Sequence, residues 1–85
     1  MKKFTYQITD AQGIHARPAG LLTQEAKRFS SSVKICKGSI EADAKRIFSV
    51  MGLAAKQGET VSVIAEGGDE EQAAAAMETF FKKNL

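Results

Sequence analysis

Apolar and polar residues recur along the chain with two different periods, and each period predicts a different kind of element. Phe4, Tyr6 and Ile8 alternate with polar neighbours, which is the period of two of a half-buried strand. Residues 33–37 and 60–66 are rich in β-branched side chains and predict two further strands. The pattern alone therefore predicts strands near the start, the middle and the last third of the chain.

A hairpin and three helices complete the predicted elements. Gly38 and Ser39 form a tight turn that returns the second strand into a short third strand over residues 40–43. Apolar residues at helical spacing follow in three places, and the first of these helices opens at Pro18 and fades at residues 30–32. The apolar positions are Ala19, Leu22, Ala26 and Phe29 in the first helix, Ile47, Val50, Met51 and Ala54 in the second, and Ala73, Ala76, Met77, Phe80 and Phe81 in the third.

The last helix carries signals at both of its ends. Asp69 follows a Gly-Gly pair as a good N-cap, and Gln72 completes the pattern of a capping box. Lys82 and Lys83 lie in the final turn, where cations interact favourably with the helix dipole. The sequence therefore predicts a third helix that begins after Asp69.

The order of the predicted elements is β-α-β-β-α-β-α. Each strand has mostly one apolar face, which is typical of an antiparallel sheet covered by helices on one side. No linker, repeat or low-complexity segment divides the chain. We therefore expect an α+β fold in which residues 1–85 form a single domain.

Composition narrows the functional classes. The chain has 85 residues and a formal net charge of +2, which is too small to indicate a nucleic-acid partner by itself. Cys36 is the only cysteine, so neither an internal disulfide nor a Cys/His metal cluster is expected. No apolar run approaches the roughly 20 residues of a membrane span, and the first residues lack the apolar core of a signal peptide. The expectation is a cytoplasmic protein with no metal, membrane or nucleic-acid partner.

Residues 13–19, Gly-Ile-His-Ala-Arg-Pro-Ala, carry the clearest chemical signal. A glycine-containing loop delivers His15 to the start of a predicted helix, whose first backbone N–H groups have no partner within the helix. These groups and the positive end of the helix dipole form a site for an anion. Arg17 adds a planar, always-charged guanidinium suited to phosphate oxygens, and Pro18 restricts Arg17 to extended geometry.

His15 is the only histidine, and its position gives it the properties of a phosphoryl acceptor. The positive field at a helix start disfavours the imidazolium, so the neutral and nucleophilic ring is favoured at neutral pH. The same donors would stabilise a phosphoryl group once it is attached. A lone histidine in a small domain more often has no chemical role, but the spacing of Gly13, Arg17 and Pro18 around it favours the phosphoryl interpretation.

Residues 13–19 resemble the active-site signature of HPr, the histidine-containing phosphocarrier family of the bacterial phosphoenolpyruvate:sugar phosphotransferase system. The resemblance extends over the whole chain through its length, its element order, the Gln57-Gly58 turn and the lead into the last helix at residues 66–70. It implies an open-faced β-sandwich, in which a four-stranded antiparallel sheet is covered on one face by three helices. It also implies a phosphocarrier rather than an enzyme, with no cofactor.

The resemblance further assigns roles and partners. His15 would accept a phosphoryl group on Nδ1 from phosphorylated enzyme I and donate it to enzyme IIA components for sugar uptake. Arg17, together with Ala16 and Pro18, would bind the phosphoryl group during transfer. Transcriptional or metabolic regulators are further partners that it suggests, and a monomer with transient partners is the expected state.

The resemblance also implies that the second helix lies beside His15 and forms a docking surface. Phe48 lies off the apolar stripe of this helix, which favours an exposed aromatic side chain that contacts partners. Small Gly20 would let partners approach closely, and Met51 would adapt to several of them. The predicted docking residues are Gly20, Lys27, Ile47, Phe48 and Met51.

A basic rim is also expected near this surface, and one of its members departs from the family pattern. Many HPr proteins of Gram-positive type carry a regulatory serine at the position of Arg46, so no serine switch is predicted there. Ser49 is nearby but does not match the family position. The rim, which would attract acidic partners, consists of Lys27, Lys45, Arg46 and Lys56.

Two other hypotheses stay open. One is a binding module, although Phe4, Tyr6 and Phe29 do not form the paired aromatic motif of RNA-binding sheets and no Cys-x-x-Cys pair is present. The other stays within the family, because the motif does not separate a carrier for sugar uptake from a paralogue in nitrogen regulation. His15 argues against relatives that lack the histidine and act only as regulators.

Overall fold

The computed structural model describes residues 1–85, and four strands in it form one antiparallel sheet. The strands are β1 (Lys2–Gln7), β2 (Ser32–Lys37), β3 (Ile40–Asp43) and β4 (Thr60–Glu66). Their order across the sheet is β1-β4-β2-β3, so the first and last strands of the chain are neighbours. The register places Phe4 opposite Val63 and Ile35 opposite the same valine on the other side.

Three helices cover one face of this sheet. They are α1 (Ala16–Ala26), α2 (Ile47–Gly52) and α3 (Glu70–Asn84). The long helix α3 packs on β1 and β4, the short helix α2 lies against β3, and α1 contacts both other helices. This packing brings α1 beside α2, with Gly20 of α1 next to Ile47 of α2.

The core lies between the helices and the inward face of the sheet. Val61 and Val63 point inward from β4. Leu22 of α1 and Phe81 of α3 belong to the same core cluster, and all four side chains are fully buried. The Phe81 ring packs edge-on against Tyr6, with 5.5 Å between the ring centroids. The opposite face carries polar side chains and is open, so the predicted α+β fold, an open-faced β-sandwich of the order βαββαβα, is confirmed.

The predicted strands match the observed ones closely, and the largest difference lies in α1. This helix begins at Ala16, so Pro18 is its third residue and still lies in the first turn, where a missing N–H costs nothing. It ends at Ala26, which leaves Phe29 beyond the helix and half-buried against the core. The prediction was therefore wrong at both ends of the helix. Arg17, which was expected to be extended, is helical, because the first turn accommodates a proline at its third position as well as at its first.

The predicted capping box at α3 is wrong. Asp69 is the N-cap residue, but neither it nor Gln72 makes a side-chain cap hydrogen bond. The Asp69 carboxylate instead accepts hydrogen bonds from the Ser30 N–H at 3.0 Å, the Ser31 N–H at 2.9 Å and the Ser31 hydroxyl. These bonds, first the hydroxyl and then the Ser30 N–H, lower the pKa of Asp69 to about 2. Asp69 thus ties α3 to the chain that leaves α1.

None of the three helices combines the length and the apolar composition needed to cross a membrane.

Candidate functional site

The loop before α1 takes its path from Gly13. Gly13 has a φ of +66°, and a Cβ added to it would lie 2.2 Å from the carbonyl oxygen of Ala55. That carbonyl accepts the N–H of Ile14 at 2.9 Å, and the Ile14 side chain is buried. Only glycine allows this close approach, which sets where the next residue, His15, enters the helix.

His15 is the N-cap residue of α1. Its backbone is extended, with φ −112° and ψ −173°, and its carbonyl oxygen accepts the N–H of Ala19 at 2.9 Å. The imidazole makes no cap hydrogen bond and is only partly buried. The backbone of His15 therefore starts the helix while its ring stays free for chemistry, as the sequence predicts.

The start of α1 has the properties of an anion site. Ala16 and Arg17 donate no backbone hydrogen bond to a loop carbonyl or a side chain, and the first turn contains no acidic residue. Arg17 is exposed and forms no ion pair with a carboxylate. Unpaired N–H groups, the positive helix end and a free guanidinium together favour an anion beside the His15 ring.

A shallow cavity of about 230 Å³ holds His15 together with Arg17 and Pro18. Asp10 and Asn84 also line this cavity, although the sequence gives no signal that either residue belongs to the site. They come from distant parts of the chain, which meet because the main-chain oxygen of Leu85 accepts the Asp10 N–H at 2.8 Å and the Thr9 hydroxyl at 2.9 Å. No local sequence signal points to this contact, since it depends on where α3 ends.

The turn that faces Gly13 is itself held in place. Lys37 donates through its Nζ to the carbonyl of Ala54 at 3.2 Å and to the Glu59 carboxylate at 3.5 Å. Glu59 accepts the backbone N–H of Lys56 at 2.7 Å, and this bond, with the Lys37 ammonium, lowers the pKa of Glu59. These contacts support Ala55, against which the His15 loop rests.

Helix α2 lies beside the His15 helix and exposes apolar side chains. A Cβ on Gly20 would lie 3.6 Å from Cδ1 of Ile47, so the two helices approach closely at this point. Phe48 is 84% exposed and Met51 is 38% exposed, while Ile47 is half-buried. The predicted exposure of Phe48 is confirmed, and its docking role stays a prediction.

The structure divides the four cations of the expected basic rim. Lys27, Lys45 and Arg46 line one groove between α1 and the start of α2. Lys56 instead adjoins Gly13 on the turn after α2. The rim is therefore a three-residue cluster beside Phe48 and a separate lysine beside the His15 loop.

Two further polar residues lie away from His15. Ser49 accepts the backbone N–H of Asp43 at 3.0 Å through its hydroxyl, which links α2 to β3. Cys36 is partly buried in β2, where its thiol faces Glu41 at 3.9 Å. No group of His, Cys, Asp and Glu side chains is arranged to hold a metal ion.

Comparison with known proteins shows the family of this chain. The family model described as the PTS HPr component phosphorylation site matches residues 2–83. The phosphocarrier protein HPr of Mycoplasma genitalium is 41% identical over 85 residues, covering 99% of this chain and 97% of that protein.

Solved structures are similar as well. A histidine-containing phosphocarrier protein from Mycoplasma matches with a TM-score of 0.94 at 38% identity, covering 96% of this chain and 93% of that one. The catabolite repression protein Crh of Bacillus subtilis, solved as a swapped dimer, matches with a TM-score of 0.79 at 35% identity, covering 94% and 92%. On the family match and the near full-length identity, the chain belongs to the HPr family of phosphocarrier proteins of the phosphotransferase system, which are carriers rather than enzymes.

Proposed function

We propose that His15 accepts a phosphoryl group from phosphorylated enzyme I on Nδ1 and donates it to enzyme IIA components for sugar uptake. Residues 1–85 act in this as one HPr-like domain, a cytoplasmic monomer that meets its partners transiently. The observation that carries the proposal is the start of α1, which has no acidic residue in its first turn and where the His15 ring and the unpaired Arg17 guanidinium share one cavity.

The transfer is an exchange of one bond to phosphorus for another. The lone pair of the His15 ring nitrogen forms the new N–P bond as the bond between phosphorus and the donor breaks, and the ring proton stays on the other nitrogen. The oxygens of the moving group carry negative charge, which the Arg17 guanidinium and the N–H groups of Ala16 and Arg17 face. Pro18 has no N–H and contributes by fixing the first turn.

Docking is assigned to the surface beside this site. Gly20 and Ile47 bring α1 and α2 together, and Phe48 and Met51 supply exposed apolar contact area on α2. Exposed Lys27 adds positive charge at the edge. Because Arg46 has no hydroxyl, regulation by serine phosphorylation is not assigned to residue 46. Peptide mapping after treatment with the serine kinase and ATP should show no phosphate on residue 46. Phosphoserine at Ser49 would show that the regulatory site had moved to that residue.

The test is phosphorylation with purified enzyme I and labelled phosphoenolpyruvate. We expect one acid-labile phosphate per chain on His15, and no label in His15→Ala. Arg17→Ala should keep the acceptor and slow transfer by about 100-fold, as loss of one preorganised donor does elsewhere. Label that survives His15→Ala would falsify the assignment of the site.

Docking is tested separately. Phe48→Ala should lower kcat/KM of enzyme I for this carrier by about tenfold, since exposed aromatic anchors dominate small interfaces, and should leave the fold intact by circular dichroism. Thr5→Ala on the open face of the sheet is the matched control and should change nothing. Equal rates for Phe48→Ala and the control would remove α2 from the docking surface.

A further inference from the structure

A second concave surface lies between α1 and the chain that enters α2. It has a volume of about 670 Å³, nearly three times that of the cavity at His15, whose volume is about 230 Å³. Its charged lining consists of Lys27, Lys45, Arg46 and Asp43, and Phe48 forms an exposed apolar wall. We refer to it as the Lys27–Arg46 groove.

The cations of this groove have no acidic partners. Five other Lys and Arg side chains form ion pairs in the protein, but Lys27, Lys45 and Arg46 form none. Lys45 donates through Nζ to the carbonyl of Phe29 at 2.8 Å, which holds its ammonium at the edge of the groove. The one carboxylate, Asp43, accepts the backbone N–H of Lys45 at 2.9 Å. The lining therefore has a net charge of +2 that the protein does not neutralise.

A buried hydroxyl in the lining also lacks a partner. Thr23 lies on the α1 side of the groove, is 7% exposed, and its Oγ1 makes no hydrogen bond. A buried hydroxyl without a partner is costly, and such groups are rare in folded proteins. Its Oγ1 has almost no exposed surface, so it is the three cations without acidic partners, rather than this hydroxyl, that indicate a ligand with oxygen acceptors.

We propose that the Lys27–Arg46 groove binds a small organic phosphate, that is, a phosphate monoester. The phosphate would contact the ammonium groups of Lys27 and Lys45 and the guanidinium of Arg46, which suits paired contacts to phosphate oxygens. The Phe48 ring would cover the organic part. A concave surface of this size favours a small molecule over an acidic protein.

This site is distinct from the start of α1, because His15 and Arg17 do not line it. It does share Lys27, Ile47 and Phe48 with the proposed docking surface. A bound phosphate ester would therefore compete with docking, a consequence that rests on the proposed function, whereas binding itself does not.

Binding is tested by titrating the ¹⁵N-labelled chain with glucose 6-phosphate at constant ionic strength and following the amide shifts. We expect saturable shifts at residues 23, 27 and 45–49. Glucose alone should cause none, and inorganic phosphate should bind more weakly because it lacks the organic part. The titration is repeated in Arg17→Ala, where shifts in the groove must persist even though the His15 site is impaired.

Substitutions then separate the groove from general charge effects. Lys27→Ala and Arg46→Ala should each weaken binding by about three- to fivefold, the size expected of an exposed ionic contact. Lys3→Ala, which removes the same charge from the open face of the sheet, should leave affinity unchanged. Thr23→Val should leave binding unchanged and raise the Tm of the free protein, because it removes a buried hydroxyl that has no partner.

Several results would overturn the proposal. They are shifts that do not saturate, equal loss of affinity in Lys3→Ala and Arg46→Ala, and loss of the groove shifts in Arg17→Ala. Shifts in the groove with an acidic protein partner but none with glucose 6-phosphate would assign the surface to protein docking instead.

Discussion

The starts of α1 and α3 differ in charge: acidic residues surround the start of α3, and the first turn of α1 has none. At α3 the N-cap is Asp69, and Glu70 and Glu71 follow in the first turn. The Glu70 carboxylate accepts the Gly67 N–H at 3.1 Å and pairs with the N-terminal ammonium, so its pKa is lowered, mainly by that ammonium. At α1 the N-cap is His15, and the first turn contains no acid at all.

This difference indicates how the fold separates stability from function. A helix start favours negative charge whatever its source. At α3 the protein supplies the charge itself, and Asp69 uses it to hold the chain at Ser30 and Ser31. At α1 the first turn contains no carboxylate, and Asp10, which lines the His15 cavity from the loop after β1, accepts the N–H of Gln12 rather than an N–H of the helix. The N–H groups of the first turn are therefore available to an external anion. Substitutions at the two ends should therefore affect different properties.

Removing the glycine that positions the α1 start should have the largest effect. Gly13→Ala would place a Cβ 2.2 Å from the Ala55 oxygen at a positive φ. We expect the free energy of unfolding to fall by about 3 kcal/mol, from the backbone strain and the displaced neighbour together. Phosphoryl acceptance should fall by about 100-fold, because the His15 ring would be displaced. Urea unfolding and the enzyme I assay measure the two effects.

Gly38→Ala is the matched control for this substitution. Gly38 has a φ of +60°, but a Cβ there would meet no atom within 4 Å. Only the cost of the positive φ should remain, about 1 kcal/mol, with phosphoryl transfer unchanged. Equal losses of transfer in both variants would mean that Gly13 does not position His15.

At the start of α3 the corresponding substitution is Asp69→Asn. The folded pKa of Asp69 is about 2, below its ordinary value of 3.8, so its stabilising contribution is fully present above about pH 4 and is lost as the pH falls through 2. Asp69→Asn should therefore lower the Tm at pH 7, and the difference from the parent should shrink between pH 4 and pH 2. Thermal unfolding at pH 7, 4 and 2 measures it.

The same variant should leave phosphoryl acceptance unchanged wherever the protein is folded. Glu71→Gln is its control, because Glu71 is exposed and only pairs with exposed Lys2 at 3.7 Å, a contact of little weight. A Tm difference for Asp69→Asn that stays constant across this pH range would show that the carboxylate charge is not what holds Ser30 and Ser31.

A third substitution makes the two helix starts alike. Ala16→Glu places a carboxylate at the first residue of α1, which is exposed. It should raise the free energy of unfolding by about 0.5 kcal/mol through the helix dipole. It should also slow phosphoryl acceptance by about tenfold, because the carboxylate repels the incoming phosphoryl group at short range.

Gln24→Glu provides the same change of charge further along α1, on an exposed position. It should affect neither property appreciably. Added salt should partly restore transfer in Ala16→Glu, since exposed charges are screened. If Ala16→Glu accepted the phosphoryl group at the parent rate, the absence of acidic residues at the start of α1 would not contribute to transfer.

Local patterns were sufficient for most of the fold. The strand bounds of β3 and β4 coincide with the predicted ranges, because Gly38 and Gly67-Gly68 interrupt the chain beside residues that favour strands. The predicted capping box was wrong for a reason that no local pattern holds. Asp69 bonds to Ser30 and Ser31, 39 and 38 residues away in the chain, and no local pattern contains that contact.

The candidate site likewise contains residues that local sequence predicts and residues that only long-range contacts bring in. His15 and Arg17 are predictable because the helix start and its motif lie within a few residues of each other. Asp10 and Asn84 enter the His15 cavity only because the end of α3 reaches the loop after β1. The separation of Lys56 from the other rim cations likewise depends on the turn after α2, which the sequence leaves unspecified.

The chain segments near the two helix starts also differ in which residue adopts a positive φ. This difference leads to the prediction with the smallest expected effect. Near α3, Gly67 lies against Ser31 with a φ of +151°. In the turn that supports the His15 loop, the corresponding left-handed residue is Ala54, with a φ of 49°.

Ala54→Gly should relieve this strain and raise the free energy of unfolding by about 0.5 kcal/mol, the net of the strain and the greater freedom of glycine in the unfolded chain. Ala75→Gly, in the exposed interior of α3, is the matched control and should lower it by about 1 kcal/mol. Urea unfolding should therefore show changes of opposite sign in the free energy of unfolding of the two variants. A decrease in both would mean that the backbone of Ala54 is not strained.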